Sequence, residues 1–424
     1  MNSTPSAAAA NVTRKPIPAP EPGLTPDEVI RRAASMREEL RAQQDEADEN
    51  GCHSPELDEK FVEAGFYRII QPKMFGGYEF DYPTFYRTML ELARGNPGTG
   101  WCVTLGASHS ALIGALWPER AQVELFGEDG HFVAPHRAGI PVLIDKVDGG
   151  YNISGKWGYA SGCPYSTHFL GNAVVRENGK ERGVTFIVPR EAYTILDDWG
   201  GDQVLGMRAS GSNTVEIKDY FVPDHWVIDT LPGLWSASDL SNGTEGTRLH
   251  GNPMYLGRFM GPYHASLVVP AIGCARAALD ELEIIAKKRT TRFEPPRAWT
   301  ENYDVQRPFG EAMILTDSAE ALLLKGCEIY MDYCRRWERD GTPFTAEESL
   351  RLWGMMIRAG RMAVEATQII YDAASSSAAM KGQKIQRYFR DMAMYRSHTS
   401  SQEATFGGAI ARIHWNIPVG MFGL

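Results

Sequence analysis

The chain has 424 residues, a formal net charge of −10 and a hydrophobic fraction of 43%, which predict a soluble globular protein too long for one compact core. The acidic balance comes without a basic block, so neither nucleic acid nor an anionic membrane is expected as a partner. No segment approaches the roughly 20 apolar residues of a membrane span. The six cysteines lack metal-site spacing, which predicts reduced thiols, no metal centre and a cytoplasmic location.

The chain opens with residues 1–24, which are rich in alanine and proline and lack the hydrophobic core of a signal peptide. We predict a disordered tail here. From Thr25 the pattern is helical, since Thr25 can cap a helix and Pro26 suits its first turn. Further helices are predicted from Ser54-Pro55, over Tyr82 to Arg94 and over Thr99 to Leu116. Residues 25–131 are therefore a predicted α-helical domain.

Residues 132–228 change to a period of two and predict a central β-domain. Asp148-Gly149-Gly150 and Asn178-Gly179 have the composition of hairpin turns. The candidate strands are Val142 to Val147, Tyr151 to Ser161, His168 to Arg176, Gly183 to Pro189 and Asn213 to Val222. This β-domain separates two helical blocks.

Residues 229–262 are an irregular stretch rich in glycine and proline, and the helical period returns over residues 263–424. Four segments predict a four-helix bundle: Ala271 to Lys288, Leu315 to Trp337, Leu350 to Tyr371 and Lys384 to Ile413. The predicted fold class is α+β, with an N-terminal helical domain, a central β-domain and a C-terminal four-helix bundle.

The segment Tyr151 to Pro164, YNISGKWGYASGCP, joins a tight turn to a β-favouring run that ends in small polar residues. At Ser161 and Gly162 a flat ligand could approach the backbone. The segment resembles the flavin-facing strand of the flavin-dependent monooxygenases that share the acyl-CoA dehydrogenase fold. These are the oxygenase components of two-component aromatic hydroxylases. The alternative is an ordinary edge hairpin, in which Trp157 and Tyr159 are core aromatics.

Three further segments support this resemblance, which covers Thr25 to Ile413. Gly206 to Asn213, with Tyr220 to Pro223, is similar to the motif that closes the family's β-domain. Ile385 to Asp391 resembles the RxxRD of its last long helix. Gly100-Trp101, with His109 and Trp117-Pro118-Glu119, resembles the oxygenase helix that presents a histidine to the substrate pocket. The resemblance implies the acyl-CoA dehydrogenase fold, whose domains occur in this order.

The acyl-CoA dehydrogenase fold hosts both dehydrogenation and oxygenation, and a dehydrogenase needs a carboxylate base. The family places that glutamate eight residues after the RD motif, which here is Thr399, or early in the third domain. No Asp or Glu occurs from Gly246 to Leu279. His398 stands beside the first position instead, and an imidazole with a pKa near 6.5 suits removal of a phenolic or indolic proton. The sequence therefore favours the oxygenase branch.

The resemblance also implies a cofactor cycle. Reduced FAD or FMN would diffuse from a separate NAD(P)H-dependent flavin reductase, bind between the β-domain and the bundle, and react with O2 to a C4a-hydroperoxide. Ser161 would hold flavin N5, and His398 would form or steady the hydroperoxide or deprotonate the substrate. The candidate cofactor-binding residues are Trp157, Tyr159, Ala160, Ser161, Gly162, Ser212, Arg292 and Gln306. The candidate substrate-binding residues are His109, Arg258, Tyr263 and His264.

A structural role is the alternative for several of these residues. His398 could cap a helix, His109 could be a satisfied core histidine, and Arg258, Tyr263 and His264 could anchor the loop.

The adenine-binding segments depart from the dehydrogenase pattern. Arg292-Phe293 is followed by Glu294 rather than glycine, and Gln368 to Ala374 contains no glycine. Loosely bound FAD or FMN is therefore expected.

The predicted function is hydroxylation of a small phenolic or indolic aromatic by reduced flavin and O2. Oxygenation at sulfur or nitrogen is the alternative, and an acyl-CoA dehydrogenase or a non-enzymatic binding module is less favoured. A run as apolar as Trp353, Met355, Met356 and Ile357 predicts more apolar surface than one core-facing stripe requires. It therefore predicts a homotetramer, as the resemblance implies.

Overall fold

The computed structural model describes residues 16–177, 179–229, 240–292, 294–342, 344–398 and 401–418. The N-terminal helices are α1 Pro26–Ser35, α2 Arg37–Ala42, α3 Gln44–Asn50, α4 Pro55–Glu63, α5 Tyr82–Gly95, α6 Pro97–Leu116 and α7 Glu119–Phe126. Within the described ranges, no helix is long and apolar enough to cross a membrane.

Capping side chains fix where these helices begin. The Thr25 hydroxyl accepts the N–H of Glu28 at the start of α1, and the side chain of Asn96 accepts the N–H groups of Gly98 and Thr99 at the start of α6. In both helices a proline occupies the first turn, where its missing N–H costs nothing. The helix α6 therefore begins at the proline, two residues before the predicted start.

The end of the predicted disordered tail belongs to the folded domain. Ile17 forms a parallel β-bridge with Phe75, and Leu24 is buried. Glu21 forms an ion pair with Arg32 of α1 at 2.8 Å. Isolated apolar residues among prolines have no periodicity, so the sequence placed the boundary at residue 24 too late. Residues 1–15 of the predicted tail lie outside the described residues.

The β-domain is a seven-stranded sheet in the order β5-β6-β2-β1-β3-β4-β7. The strands are β1 His136–Val147, β2 Gly150–Trp157, β3 His168–Glu177, β4 Lys180–Pro189, β5 Tyr193–Ile195, β6 Val215–Pro223 and β7 Val227–Asp229. β1 is antiparallel to β2 and parallel to β3, so it joins the two halves of the sheet. The predicted second strand ends at Trp157, not at Ser161. Asn178, in the second predicted turn, lies outside the described residues.

The C-terminal helices are α8 Glu245–His250, α9 Met260–Lys288, α10 Tyr303–Asp340, α11 Ala346–Ala373, α12 Lys384–Ser397 and α13 Glu403–His414. The predicted irregular stretch at residues 229–262 thus contains the short helix α8, and its residues 230–239 lie outside the described ranges. The last predicted helix is divided in two, because His398 takes an extended conformation at the end of α12.

The apolar run on α11 is buried within the chain. Trp353 packs against Phe406 of α13 at a tilt of 50°, with ring centroids 3.8 Å apart; Met356 and Ile357 are also buried, and Met355 is half-buried. A second helix packed against this face explains the extra apolar residues, so the surface on which the tetramer prediction rested is not exposed here.

The three domains meet at the RxxRD segment of α12. The buried guanidinium of Arg387 bonds Asp48 of α3 at 3.0 Å and also contacts Asp45. Asp391 accepts the backbone N–H of Met207, in the β-domain, at 2.6 Å. Burial, followed by the nearby Asp48, raises the pKa of Asp391 to about 7. The sequence motif therefore marks the junction of all three domains.

Candidate active site

The loop that follows β2 lies directly on helix α6. Tyr159 and Gly162 have positive φ angles of 60° and 91°. A Cβ atom on Gly162 would lie 2.7 Å from the Cys102 carbonyl oxygen of α6, so both the backbone angle and the contact require glycine. The side chain of Tyr159 points outward and is 62% exposed.

Ser161 is part of this loop and contacts the segment 210–213. Its hydroxyl oxygen is 2.7 Å from that of Ser212, and the next residue, Gly162, donates its N–H to the carbonyl oxygens of Ser210 and Gly211. The two segments are thus fixed to each other. Ser161 and Ser212, which the sequence selected separately, come together here.

His398 lies at the C-terminal end of α12. Its ring is edge-on to Trp101 of α6, with centroids 5.8 Å apart. The residue is exposed, yet burial and then the charge of Arg137 lower its pKa to about 4. The ring is thus open to solvent on one side and packed against protein on another. Its pKa lies below 6.5 because this partial burial favours the neutral ring.

His109 is buried on α6, and its protonation is set by the backbone. Its Nδ1 donates to the Ala134 carbonyl oxygen at 2.7 Å, so Nε2 carries the lone pair. In the described part of the chain Nε2 has no hydrogen-bond partner. Burial and then the neighbouring His136 lower the pKa of His109 to about 3, which keeps the ring neutral.

The ring of His109 borders a small cavity with uncharged walls. The other lining residues include Tyr82, Tyr86, Leu112, Phe259, Tyr263 and Ser266. The cavity has a volume of about 20 Å³, so an aromatic ligand would enter only with movement of these side chains, and the unpartnered Nε2 of His109 could then accept its hydrogen bond.

His136, at the start of β1, is a residue that sequence reasoning missed. Its Nε2 bonds the side-chain oxygen of Asn172 at 2.9 Å, and its Nδ1 bonds the Tyr263 hydroxyl at 3.2 Å. Because Asn172 accepts at that oxygen, Nε2 donates, and Tyr263 donates to Nδ1. His136 thereby joins the cavity wall to the sheet.

Arg137 follows His136 and was also missed. Within the described residues it has no carboxylate partner, and its guanidinium donates to the Ala138 carbonyl oxygen. Its charge lowers the pKa of both His136 and His398, which places it between the sheet and the end of α12. The only signal in the sequence is a His-Arg pair that opens a strand, and no spacing rule selects it.

The other candidate substrate residues differ in their surroundings. Tyr263 and His264 lie in the first turns of α9, which begins three residues before the predicted helical block at residue 263. Arg258 is buried with a positive φ of 54° and donates to the Phe344 carbonyl oxygen. The ring of His264 packs against Trp353 at a tilt of 42°, with centroids 4.2 Å apart. These contacts bring only Tyr263 to the cavity of His109.

The remaining candidate cofactor residues are spread widely. Trp157 and Ala160 are buried in the core of the β-domain, and Trp157 donates to the Asn172 carbonyl oxygen at 3.0 Å. Arg292 and Gln306 are exposed beyond the far end of α9. The 29-residue helix separates them from Tyr263 by about 40 Å. They therefore cannot contact a ligand that lies beside the Tyr263 of the same chain.

A larger cavity lies between α11 and α13, where it is lined by Arg351, Ile357, Glu403, Phe406 and others. It contains none of the candidate residues. In the described part of the chain, no cluster of His, Cys, Asp and Glu could hold a metal ion.

The residues around the loop after β2 fit a reduced flavin. The hydroxyl of Ser161 can bond the polar edge of the ring, and the glycine at position 162 lets the loop backbone take its conformation. The ring of reduced flavin is an anion near neutral pH, and the charge of Arg137, which has no carboxylate partner among the described residues, is the complementary group. His398, beside Trp101, is close enough to Arg137 for that charge to lower its pKa.

Two family models match the chain. The N-terminal domain of acyl-CoA dehydrogenase matches residues 28–118, and the C-terminal domain of acyl-CoA dehydrogenase matches residues 265–403. Together they cover more than half of the chain. The predicted fold class is thereby confirmed.

Individual relatives point to one branch. The chain is 29% identical over 347 residues to the oxygenase subunit HsaA, a flavin-dependent monooxygenase of Rhodococcus jostii, covering 80% of this chain and 85% of the relative. It is 32% identical over 170 residues to the oxygenase component of an FADH2-dependent resorcinol hydroxylase of Rhizobium, covering 40% of each. The structure of XiaF from Streptomyces in complex with FADH2 and glycerol superposes with a TM-score of 0.82 at 20% identity, covering 92% of this chain and 96% of that one.

Proposed function

Because the chain belongs to the flavin-dependent monooxygenases that share the acyl-CoA dehydrogenase fold, we propose that it is an oxygenase component that hydroxylates a small phenolic or indolic compound with reduced flavin and O2. The observation that carries this proposal is the cavity beside His109, where a buried acceptor nitrogen faces uncharged, mostly aromatic walls. A phenol O–H or an indole N–H is the donor that such a nitrogen accepts.

The proposed reaction divides O2 between two products. One oxygen atom replaces a ring hydrogen of the substrate, and the other leaves as water. Reduced flavin, when bound, would supply the two electrons and the oxygen-transfer chemistry that this requires. The protein must therefore hold the flavin, keep bulk water away and accept a proton from the substrate.

The loop after β2 and Arg137 are proposed to hold the flavin. Ser161 supplies a hydroxyl at the ring edge, and Arg137 favours the anionic reduced form over the neutral oxidised form. Weak binding of oxidised flavin suits a cofactor that arrives reduced from a separate NAD(P)H-dependent flavin reductase and leaves oxidised. The names of the relatives mention FADH2 and so support reduced flavin, while both FAD and FMN remain open for this chain.

His398 and His109 are proposed to act on protons and on the substrate. A pKa of about 4 keeps His398 neutral at physiological pH, so its ring has a free lone pair for the substrate proton, although it is a weaker base than an unperturbed imidazole. His109 has a lower pKa still and is suited to accept a hydrogen bond rather than a proton. We assign substrate orientation to His109 and Tyr263, and proton exchange to His398.

A homotetramer remains our proposal for the assembly. The support lies on α10 rather than on α11, because Tyr303, Met313 and Ile314 are exposed there. The 11 residues from Tyr303 to Ile314 make about three turns, so these two side chains share one face. An apolar face of this kind is covered in an oligomer. We also propose a cytoplasmic location, where NAD(P)H for the reductase is available.

An aerobic assay with a flavin reductase and NADH tests the function. Phenols, indoles and thiophenes are supplied in parallel, and product, NADH and hydrogen peroxide are measured together. A hydroxylated phenol or indole whose formation depends on both the reductase and O2 supports the proposal. Product from the thiophenes alone would favour sulfur oxygenation instead. Oxidation of an acyl-CoA without O2 incorporation would reject the oxygenase function.

A further inference from the structure

Three serine hydroxyls form a continuous chain behind the loop that follows β2. The oxygen of Ser161 is 2.7 Å from that of Ser212, which is 2.6 Å from that of Ser210. Exposure falls along the chain, from 9% at Ser161 to 3% at Ser212 and 1% at Ser210. The chain therefore leads from the candidate flavin cleft into the protein interior.

The hydrogens of these hydroxyls determine the direction of the chain. Three hydroxyl hydrogens serve two oxygen–oxygen contacts, so one hydrogen must point elsewhere. In the described part of the structure, Ser210 and Ser212 have no other acceptor for it. A buried hydroxyl hydrogen without an acceptor costs about 1–3 kcal/mol. The spare hydrogen is least costly on Ser161, the least buried of the three.

We infer that Ser210 donates to Ser212, that Ser212 donates to Ser161, and that Ser161 points its own hydrogen into the cleft. In this direction Ser161 offers the ligand both one hydrogen and one lone pair. In the opposite direction its hydrogen would be used by Ser212, and only lone pairs would face the cleft. Ser212, with Ser210 behind it, is thus a positioning residue that acts through Ser161 and has no need to contact the ligand.

This inference rests on the proposed function, in which a flavin occupies the cleft. Flavin N5 is an acceptor in the oxidised ring and carries a hydrogen in the reduced ring. A hydroxyl that offers both a hydrogen and a lone pair can bond N5 in either state, whereas one with lone pairs alone can bond only reduced N5. The serine chain would therefore let one side chain hold the ring before and after turnover.

Equilibrium binding of flavin and 5-deazaflavin tests this direction without turnover, because the analogue has carbon in place of N5. Both ligands are titrated anaerobically in the oxidised and the reduced state. The native protein should bind flavin about two- to tenfold more tightly than the analogue in both states, the range of one net hydrogen bond. Ser161→Ala should bring both ratios to about one. Discrimination in the reduced state alone would mean that the chain runs the other way and would overturn the inference.

Ser212 is tested by its effect on the same ratio. Ser212→Ala frees the Ser161 hydroxyl to take any of its three rotamers, so the oxidised-state ratio should fall by up to about threefold. Ser212→Thr, which keeps the hydroxyl, should retain the native ratio. A general structural defect lowers the melting temperature and weakens both ligands alike, which leaves the ratio unchanged. An unchanged ratio in Ser212→Ala would reject the positioning role, and no binding of either flavin would reject the proposed function itself.

Discussion

The imidazole of His398 is edge-on to the indole of Trp101, with ring centroids 5.8 Å apart and planes inclined by 77°. The contact joins the end of α12 to the first third of α6, so a bundle residue is oriented by a helix of the N-terminal domain. His109 lies two turns further along the same helix. The two histidines assigned to the reaction are thus placed by one element.

We expect His398→Ala to fold normally and to lose hydroxylation by roughly 10²- to 10⁴-fold, the usual contribution of a general acid or base. His398→Asn should be almost as impaired, because an amide cannot exchange a proton near neutral pH. Product and hydrogen peroxide are quantified together, so that wasted O2 is separated from hydroxylation. The control is His168→Asn, which changes a buried histidine of similar pKa, about 4. Native rates in both His398 variants would make His398 structural.

Arg137→Met should weaken the binding of reduced flavin more than the binding of oxidised flavin. The variant removes a positive charge that has no carboxylate partner within the described residues, so the anionic reduced ring loses more than the neutral oxidised ring, while the phosphate charge is the same in both. We expect about a tenfold loss of affinity for reduced flavin and little change for oxidised flavin, measured by anaerobic dialysis. Arg137→Lys keeps the charge and should retain most of the difference. Equal losses in both redox states would contradict the assignment.

His109 should make stability depend on pH. Its pKa is about 3 in the folded protein and near 6.5 when unfolded, so the unfolded chain binds a proton first as the pH falls. The stability contributed by the neutral ring is complete above pH 6.5 and is lost as the pH falls toward 3. His109→Leu removes this term.

The comparison that isolates this term is urea unfolding of both proteins between pH 7 and pH 5. By pH 5 the native protein should have lost about 2 kcal/mol more than His109→Leu. Asp391, whose raised pKa of about 7 acts in the opposite direction, is present in both proteins and cancels in the difference. Parallel curves would mean that His109 is not kept neutral by the fold.

Arg387 should be essential for stability rather than for chemistry. Arg387→Met leaves Asp48 buried without its cation, and breaking a buried pair in this way costs about 3–5 kcal/mol. The midpoint of thermal unfolding should fall accordingly. Arg387→Met combined with Asp48→Asn should recover part of the loss, because no charge is then left unpaired. An unchanged midpoint in Arg387→Met would mean that the Arg387–Asp48 pair does not contribute to stability.

Ile314→Asp should dissociate the proposed tetramer. The residue is 67% exposed in the single chain, so a charge there should leave the fold intact and disrupt only a covered face. Light scattering should give a tetramer for the native protein and a smaller species for the variant. Ile284→Asp, which changes another exposed isoleucine of the bundle, is a matched control. A native protein that is monomeric at micromolar concentration would refute the assembly.

The order of the domains could be predicted because each carries its own periodicity and turn chemistry. The loop with Ser161 and Gly162 could be found because glycine and small polar residues end a β-favouring run. His136 and Arg137 could not be found, since their role depends on how the segment before β1 docks on α6. In that contact, Ala134 donates its N–H to the Gly106 carbonyl oxygen at 3.0 Å.

The pKa of His398 could not be foreseen either. The lower pKa depends on burial of the ring and on the charge of Arg137, which is 261 positions away in the sequence. The distance of Arg292 and Gln306 from Tyr263 depends on the length of α9, which the sequence underestimated by starting the helix at Ala271 instead of Met260.

The contact between Gly162 and Cys102 implies that the backbone of α6 determines which ring position of the substrate is hydroxylated. Cys102 touches the loop of the proposed flavin site, and His109 lies seven residues later on the same face of α6, about 10 Å along the axis. This helix therefore sets how far the oxidised ring carbon lies from the anchored donor of the substrate. Variants of the side chains lining the cavity should change which molecules enter, while a change in the ring position that is hydroxylated would require a shift of α6 itself.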